Sequence, residues 1–339
     1  MNHWLTALAT QTVPAILVTV ATVKGSAPRE PGAKMVVTPH REFDTIGGGH
    51  LEMRACEIAR EMLRMPTGPV TAERQLHRFP LGPALGQCCG GEVHLFFERV
   101  DPGARDYLAC LTERRRNGQD TLRLIPLDTS VPATLSDAHG VWLAGTPAGM
   151  TVQPDGSATC QLVRDESGQR WLIDRCLAYR QHLVLFGAGH VGAAIVRALA
   201  ELPCQVLWVD EREDMFPETL PSNTRMEATD IPEAVVDAAA PGSSYLVMTH
   251  SHALDQRLCD QILRRTDVTW FGLIGSQTKR MQFEHRLRER GITPERLANM
   301  VCPIGVPGIT GKAPAVIAAA VAAQLLQVWE AQAEHGSAI

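Results

Sequence analysis

Residues 181–210 constrain the fold of this chain more than any other stretch. Gln181 to Phe186 reads as a short apolar strand, Gly187-Ala188-Gly189-His190-Val191-Gly192 follows at once, and Ala193 to Glu201 shows apolar residues at helical spacing. A second strand, Gln205 to Val209, then ends in Asp210. Strand, glycine turn, helix, strand and acid in this order form the first unit of a dinucleotide-binding fold. In such a unit the first glycine permits a tight turn, the second lets backbone N–H groups approach an anion, and the third lets the helix pack on the strand. Gly187, Gly189 and Gly192 hold those positions, and the helix behind them points its partial positive charge at the anion. Asp210 stands where a ribose hydroxyl would be held. His190, in the middle of the turn, argues against routine nicotinamide binding. The turn therefore reads as a cradle for some phosphate-bearing ligand, against the bland reading of a purely structural turn.

Alternation of strands and helices continues to the C-terminus. Ser244 to Met248 and Val268 to Ile274 read as buried parallel strands, Leu254 to Arg264 and Thr278 to Arg290 as amphipathic helices, and about Pro314 to Ala331 as an Ala-rich helix able to pack closely on a sheet. The expected fold class is α/β, with a C-terminal Rossmann-like parallel sheet covered by helices on both faces. Strand carboxyl ends line the ligand crevice of such a sheet. Thr249-His250-Ser251-His252 with Asp255 closes one strand there, so His250, His252, Asp255 and His190 could converge to bind a metal, relay protons or hold an oxyanion. Equally, Thr249 and Asp255 could cap the next helix while the imidazoles bond backbone carbonyls. Gly275-Ser276 with Lys279-Arg280 closes the following strand, either as a second anion cradle or as a plain N-cap with a solvated basic face.

The first half has an α+β texture. Ala15 to Thr22 is a β-branched run, Lys24 to Gly32 is turn-rich, and Lys34 to Thr38 resumes strand character, which predicts a hairpin with a long loop. Ile46-Gly47-Gly48-Gly49-His50 precedes a helix, Leu51 to Arg64; Glu92 to Val100 is a strand and Arg105 to Arg116 a helix. Short strands are expected near Thr121 to Pro126, Gly140 to Gly145 and Trp171 to Cys176, and a surface loop from Asp128 to His139. The division into an N-terminal α+β domain, 1–178, and a C-terminal Rossmann-like domain, 179–339, falls near Leu177 to Gln181.

Gly86-Gln87-Cys88-Cys89-Gly90-Gly91 is the most unusual run of this half. Adjacent cysteines suit a structural zinc poorly, and no second pair at suitable spacing follows; a thiol beside mobile glycine backbone could instead present one sulfur to a soft metal centre. The other cysteines lie within expected elements and read as buried, inert thiols. The Lys24 to Arg29 and Ile46 to His50 loops, with Glu52, are rich in backbone donors and cations that suit an anionic ligand, or are two tight turns.

Composition excludes several function classes. With 32 Lys and Arg against 37 Asp and Glu the net charge is −5, which disfavours a nucleic-acid binder. The most apolar stretch, Ala313 to Leu326, reads as too short to span a bilayer, and no basic residue precedes a signal-like core at the N-terminus. Nine cysteines, an odd number, do not form a disulfide framework, so reduced thiols and a cytoplasmic location are expected.

Taken in order, the Gly25-Ser26-Ala27-Pro28-Arg29 loop, Ile46-Gly47-Gly48-Gly49 with Glu52, the Cys88-Cys89 run, the Gly187 to Gly192 turn, Thr249 to His252 with Asp255, and Ile274-Gly275-Ser276 with Lys279 resemble the XdhC/CoxI family over roughly Pro14 to Leu326. The resemblance implies a molybdenum-cofactor chaperone and not an enzyme. Such a protein binds the finished molybdopterin cofactor, protects it from oxidation, presents it to a cysteine desulfurase for sulfuration, and delivers it to apo xanthine dehydrogenase. On that view Cys88 or Cys89 lies near the molybdenum and the glycine turn holds the phosphate. The thiol loop is then expected to face the turn across the domain boundary, because clefts between domains favour ligand sites. Gly187, Gly189, His190, Gly192, Asp210, His250, His252, Ser276 and Lys279 complete the expected cofactor-binding set, and no catalytic residue is assigned. One departure stands out. Where the family often places two carboxylates after a Thr-Pro pair, this chain has Ala313-Pro314-Ala315-Val316, and Lys312 instead adds positive charge. Two competing functions are an NAD(P)-dependent oxidoreductase and a metalloprotein using the His cluster. Against the first, none of Tyr107, Tyr179 and Tyr245 has a Lys four residues on. A homodimer is compatible with the sequence.

Overall fold

The computed structural model describes residues 3–68, 70–81, 90–137, 141–144, 158–178 and 181–336. The chain divides into two compact units, residues 2–178 and 179–339.

The first unit contains α1 (His3–Thr10), β1 (Ala15–Lys24), β2 (Lys34–Val37), β3 (Glu42–Asp44), α2 (Gly49–Arg64), α3 (Val70–Glu73), β4 (Arg74–Pro80) and β5 (Glu92–Val100). There follow α4 (Arg105–Arg116), β6 (Thr121–Pro126), β7 (Thr134–Ser136), β8 (Trp142–Ala144), β9 (Cys160–Arg164) and β10 (Arg170–Cys176). The strands form two antiparallel sheets, ordered β3-β2-β1-β5-β4 and β8-β7-β6-β10-β9. β1 shows why its sequence is apolar without alternation. Ile16, Val18 and Val20 cluster with Ala55, Ala59 and Met62 of α2, while Leu17 packs with Leu108 and Leu111 of α4 and Ala21 with Ile125 and Leu172 of the second sheet, so both faces are covered. Four charges are buried where the sheets meet. Lys34 Nζ lies 2.7 Å from Asp174 Oδ1, Arg123 Nη1 lies 2.7 Å from Asp174 Oδ2, and Arg123 also donates to Glu98. Two cations thus offset two carboxylates, which is the condition for keeping such groups out of water.

The loop expected over Asp128 to His139 is corrected by β7. Thr134, Leu135 and Ser136 are all buried, and they pair with Leu122 to Leu124 of β6. A three-residue strand with polar residues at both ends carries too short a period to stand out, and burial between partners decides its state.

The second unit contains β11 (Gln181–Phe186), α5 (His190–Leu199), β12 (Cys204–Asp210), β13 (Thr224–Ala228), α6 (Pro232–Ala238) and β14 (Ser244–Val247). It continues with α7 (His252–Arg264), β15 (Trp270–Leu273), α8 (Gln277–Glu289), α9 (Pro294–Leu297), β16 (Met300–Val301) and α10 (Pro314–Gly336). The sheet is parallel throughout, ordered β13-β12-β11-β14-β15-β16, with separate apolar layers on its two faces. α7 and α8 cover one face through Leu258, Ile262 and Phe283, and α5 and α10 cover the other through Ile195, Leu325 and Trp329. This is the expected Rossmann-like α/β architecture.

α10 also corrects the length argument made for Ala313 to Leu326. Over Pro314–Gln332 the helix is long and apolar enough to cross a bilayer by length and composition. Packing gives it another role: Ala318, Val321, Ala322, Leu325 and Trp329 are buried against the sheet, and Trp329 Nε1 donates to Ser244 Oγ at 3.2 Å.

Candidate functional site

The strand order reverses between β11 and β14, where a parallel sheet opens its crevice. The glycine turn sits there. Gly187 has φ of +119°, and a Cβ on it would stand 2.4 Å from the Met248 carbonyl oxygen. A Cβ on Gly192 would stand 2.1 Å from the Gly187 carbonyl oxygen. Both positions therefore exclude any side chain. Gly189 differs: its φ is −74°, an added Cβ would meet nothing within 4 Å, and it heads α5 without a side-chain cap. The turn is fixed from two sides, since Gly187 N–H donates to Val209 O at 2.8 Å and Trp208 Nε1 donates to Gly187 O at 3.0 Å. A rigid turn with open space at the start of a helix is what an anion cradle requires.

Asp210 ends β12 and is turned toward this turn. Its Oδ2 accepts from Ala188 N–H at 2.6 Å and from Arg212 Nη2 at 3.1 Å, and its Oδ1 accepts from Arg212 N–H at 3.0 Å and Nε at 2.9 Å. Burial alone would raise the pKa of this carboxyl, but the hydrogen bonds from Arg212 and Ala188 outweigh it and hold the group below the ordinary carboxylate value. Arg212 was missed in the sequence; the signal was an arginine two residues after the strand-ending acid. A narrow cleft beside the turn is lined by Phe186, Val209, Asp210, Thr249, His250 and Leu254, among others.

The two other strand ends are organised around a buried carboxylate. Asp255 Oδ1 accepts from the Thr249 N–H and hydroxyl, and its Oδ2 accepts from Lys279 Nζ at 2.7 Å. Lys279 Nζ also donates to Ile274 O at 2.9 Å. Ser276 and Ser251 are N-caps, accepting from Lys279 N–H and Leu254 N–H. His190, His250 and His252 are exposed; His250 lines the cleft, and His252 sets its ring edge-on to Phe283. Among the described residues no three His, Cys, Asp or Glu side chains are grouped to hold a metal ion. The reading of a metal site on His190, His250 and His252 with Asp255 is thereby corrected: Asp255 is turned inward to Lys279 and Thr249.

In the first unit three glycine loops meet. A Cβ on Gly91 would lie 2.1 Å from Ser26 O, one on Gly25 3.3 Å from Gly91 Cα, and one on Gly47 2.3 Å from Pro28 Cβ. Leu81 N–H donates to Gly91 O at 2.7 Å. Leu81 and Gly90 flank the segment that contains Cys88 and Cys89, and those two residues lie outside the described residues. Three backbone donors of the Ile46 to His50 loop are taken within the loop and its helix, Gly47 N–H by the Thr45 hydroxyl at 3.0 Å and the other two by Glu52. Glu52 Oε2 accepts from Ile46 N–H at 3.1 Å, Gly48 N–H at 3.0 Å and the Thr45 hydroxyl at 2.5 Å, so the helix fills its own nest. Arg29 pairs with Glu30 and donates to Thr45 O.

Two family models match the chain: the XdhC Rossmann domain over residues 183–325, and the XdhC and CoxI family over residues 8–74. An uncharacterized protein, YqeB, of Escherichia coli K12 is 33% identical over 150 residues, which cover 44% of this chain and 27% of that protein. The chain thus spans about a quarter of the length of this curated relative. A protein of Bacillus subtilis 168, described as a probable xanthine dehydrogenase subunit, is 23% identical over 318 residues, 92% of each chain. The crystal structure of a xanthine dehydrogenase from Bacillus halodurans superposes with a TM-score of 0.74 at 20% identity, covering 97% of this chain and 95% of that one, which establishes likeness of fold. The chain belongs to the XdhC and CoxI family.

Proposed function

We propose that this chain is a cytoplasmic accessory protein of xanthine dehydrogenase maturation that carries the molybdenum cofactor as cargo. It accepts the finished cofactor, shields it, presents it to a cysteine desulfurase and delivers it to the apoenzyme. The observation that carries the reading is the meeting of three glycine loops in the first unit. Gly91 against Ser26 and Gly47 against Pro28 leave no room for side chains, and they bring the flanks of the Cys88-Cys89 segment beside the Lys24 to Arg29 loop. Family membership and the Bacillus subtilis relative, with its xanthine dehydrogenase name, support the same client. In the second unit, the open start of α5 at Gly189 suits the terminal phosphate of a pterin cargo.

No step of this function needs covalent chemistry from the chain itself. Among the described residues the hydride-transfer alternative gains no support from a tyrosine: Tyr107 accepts from Arg123 Nε at 2.6 Å in the buried ion cluster, and Tyr245 is buried in the sheet. The reading is tested by loading purified chain with molybdenum cofactor and measuring pterin fluorescence after oxidation, then activation of apo xanthine dehydrogenase. Cys88→Ala with Cys89→Ala is expected to lower retention or transfer. Normal retention and transfer by the double variant would remove the thiol from the mechanism, and no pterin retention by the natural chain would end the carrier reading.

A further inference from the structure

We infer that a cavity of about 490 Å³ between the two sheets of the first unit binds an organic monocarboxylate with an apolar body, held through the buried guanidinium of Arg74. Leu76 of β4 and Phe96 of β5 line it from one sheet; Leu127, which follows β6, and Arg170 of β10 line it from the other. Val70, at the head of α3, extends the apolar wall. A space of this size suits a small organic ligand.

Arg74 decides the sign of that ligand. It is 7% exposed, and its Nη1 donates to Pro126 O at 2.8 Å and to Thr129 O at 2.6 Å. Those carbonyls satisfy hydrogen bonds without neutralising the charge. Buried Lys34 and Arg123 each have a carboxylate at hydrogen-bond distance, whereas among the described residues Arg74 has none within 4 Å. Burial outweighs the more distant Glu98 and Glu73 and holds its pKa below the ordinary guanidinium value, as expected of a cation short of counter-charge. The Nε–Nη2 edge has no hydrogen-bond partner among the described residues, and such an edge takes a carboxylate through two parallel bonds. Thr129, whose carbonyl Arg74 engages, also buries a hydroxyl with no partner among the described residues.

The remaining polar lining sets the charge the site accepts. Arg170 is exposed at the rim, and Asp128 accepts from its Nε and Nη2, so its charge is already offset. Burial lowers the pKa of His77, which is neutral at pH 7 with its Nε2 2.6 Å from Gln75 Oε1. One uncompensated positive charge is left, and it matches a monoanion. A phosphate dianion would bring a second negative charge beside Asp128.

The site is independent of the cargo reading, since it needs neither Cys88 and Cys89 nor the glycine turn. Calorimetric titration of the full chain with phenylacetate, 2-naphthoate and 4-methylpentanoate, each beside its neutral amide, and with 2-naphthyl phosphate tests it. At least one carboxylate is expected to bind, with its amide about ten-fold weaker, the difference made by charge-assisted hydrogen bonds. Arg74→Lys keeps the charge but loses the fork, and is expected to weaken that carboxylate several-fold. Val70→Trp narrows the cavity at a half-buried position and is expected to weaken it too, with the unfolding temperature little changed, so the test does not hang on whether the Arg74 variant folds. No binding of any of the three carboxylates, equal affinity for acid and amide, tighter binding of naphthyl phosphate than of naphthoate, or unchanged affinity in a folded variant of either residue would each overturn the inference. Any of these results leaves the carrier reading standing.

Discussion

Lys279 Nζ lies 2.7 Å from Asp255 Oδ2, and this pair ties the carboxyl ends of two neighbouring parallel strands together. Asp255 holds the Thr249 backbone that follows β14, while Lys279 holds the Ile274 carbonyl that follows β15. Asp255 is fully buried, so removing it strands an ammonium with no counter-charge. Asp255→Ala is expected to cost about 3–5 kcal/mol of unfolding free energy in urea titrations. Asp255→Ala combined with Lys279→Met should recover most of that loss, because an apolar pair needs no hydration.

Glycines in the turn separate folding from binding. Gly187→Ala forces a side chain into the Met248 carbonyl at a φ of +119° and is expected to destabilise by about 3 kcal/mol or more. Gly189→Ala meets open space at an ordinary φ, so thermal stability should shift by no more than about 0.5 kcal/mol. Its methyl group would stand where the anion approaches, and titration with inorganic phosphate should show weaker binding. Unaltered affinity in Gly189→Ala would show that the turn is structural.

The centre of the parallel sheet was legible because β11, β12, β14 and β15 are apolar runs that alternate with helical patterns, and residues 181–210 alone specify the first strand-helix-strand unit; the mostly exposed β13 and the two-residue β16 carry no such signal. α5 begins at His190 rather than Ala193 because the helix incorporates Gly192, whose lack of a side chain lets α5 sit on the turn. Strands such as β4, β7 and β9 carry Arg, His, Thr and Gln, and they are strands because neighbours in the sheet satisfy their backbone, on both sides for β7 and on one side for β4 and β9 at the sheet edges. Site legibility followed the same division. Glycine positions were readable from the turn pattern itself, although the contact that excludes a side chain is local only at Gly192, against Gly187 O, and comes from distant residues at Gly187 and Gly91, against Met248 O and Ser26 O. The partners of Asp210, Lys279 and Glu52 were not, since a charged side chain in a loop pattern looks alike whether it faces a ligand or its own backbone.

Asp174 makes acid stability predictable. Burial would raise its pKa, but Lys34 and Arg123, each at 2.7 Å, outweigh burial and hold the carboxyl below the ordinary value of 3.8. The unfolded chain then takes up this proton at higher pH than the folded chain does. Its contribution is complete above the ordinary carboxylate range and is lost as pH falls below about 4. Urea midpoints should be flat from pH 7 to about 5 and drop below pH 4, and Asp174→Asn, already less stable at pH 7, should drop less steeply.

Thiol reactivity tests the first unit directly. Among the seven described cysteines, Cys56, Cys160, Cys176, Cys204, Cys259 and Cys302 are buried and Cys110 is half-buried. Burial is the largest influence on each buried thiol and pushes Cys56 and Cys176 up to about 11 and Cys204 to about 12, so thiolate is scarce at neutral pH. A protein thiol that meets a soft metal must by contrast be reachable and able to ionise. Brief iodoacetamide labelling of the native chain at pH 7.5, read by peptide mass spectrometry, is therefore expected to modify Cys88 or Cys89 first, with Cys110 next. Loading with molybdenum cofactor should protect the Cys88-Cys89 peptide and leave Cys110 labelling unchanged. Equal labelling of that peptide with and without cofactor would place the cargo's metal away from these thiols.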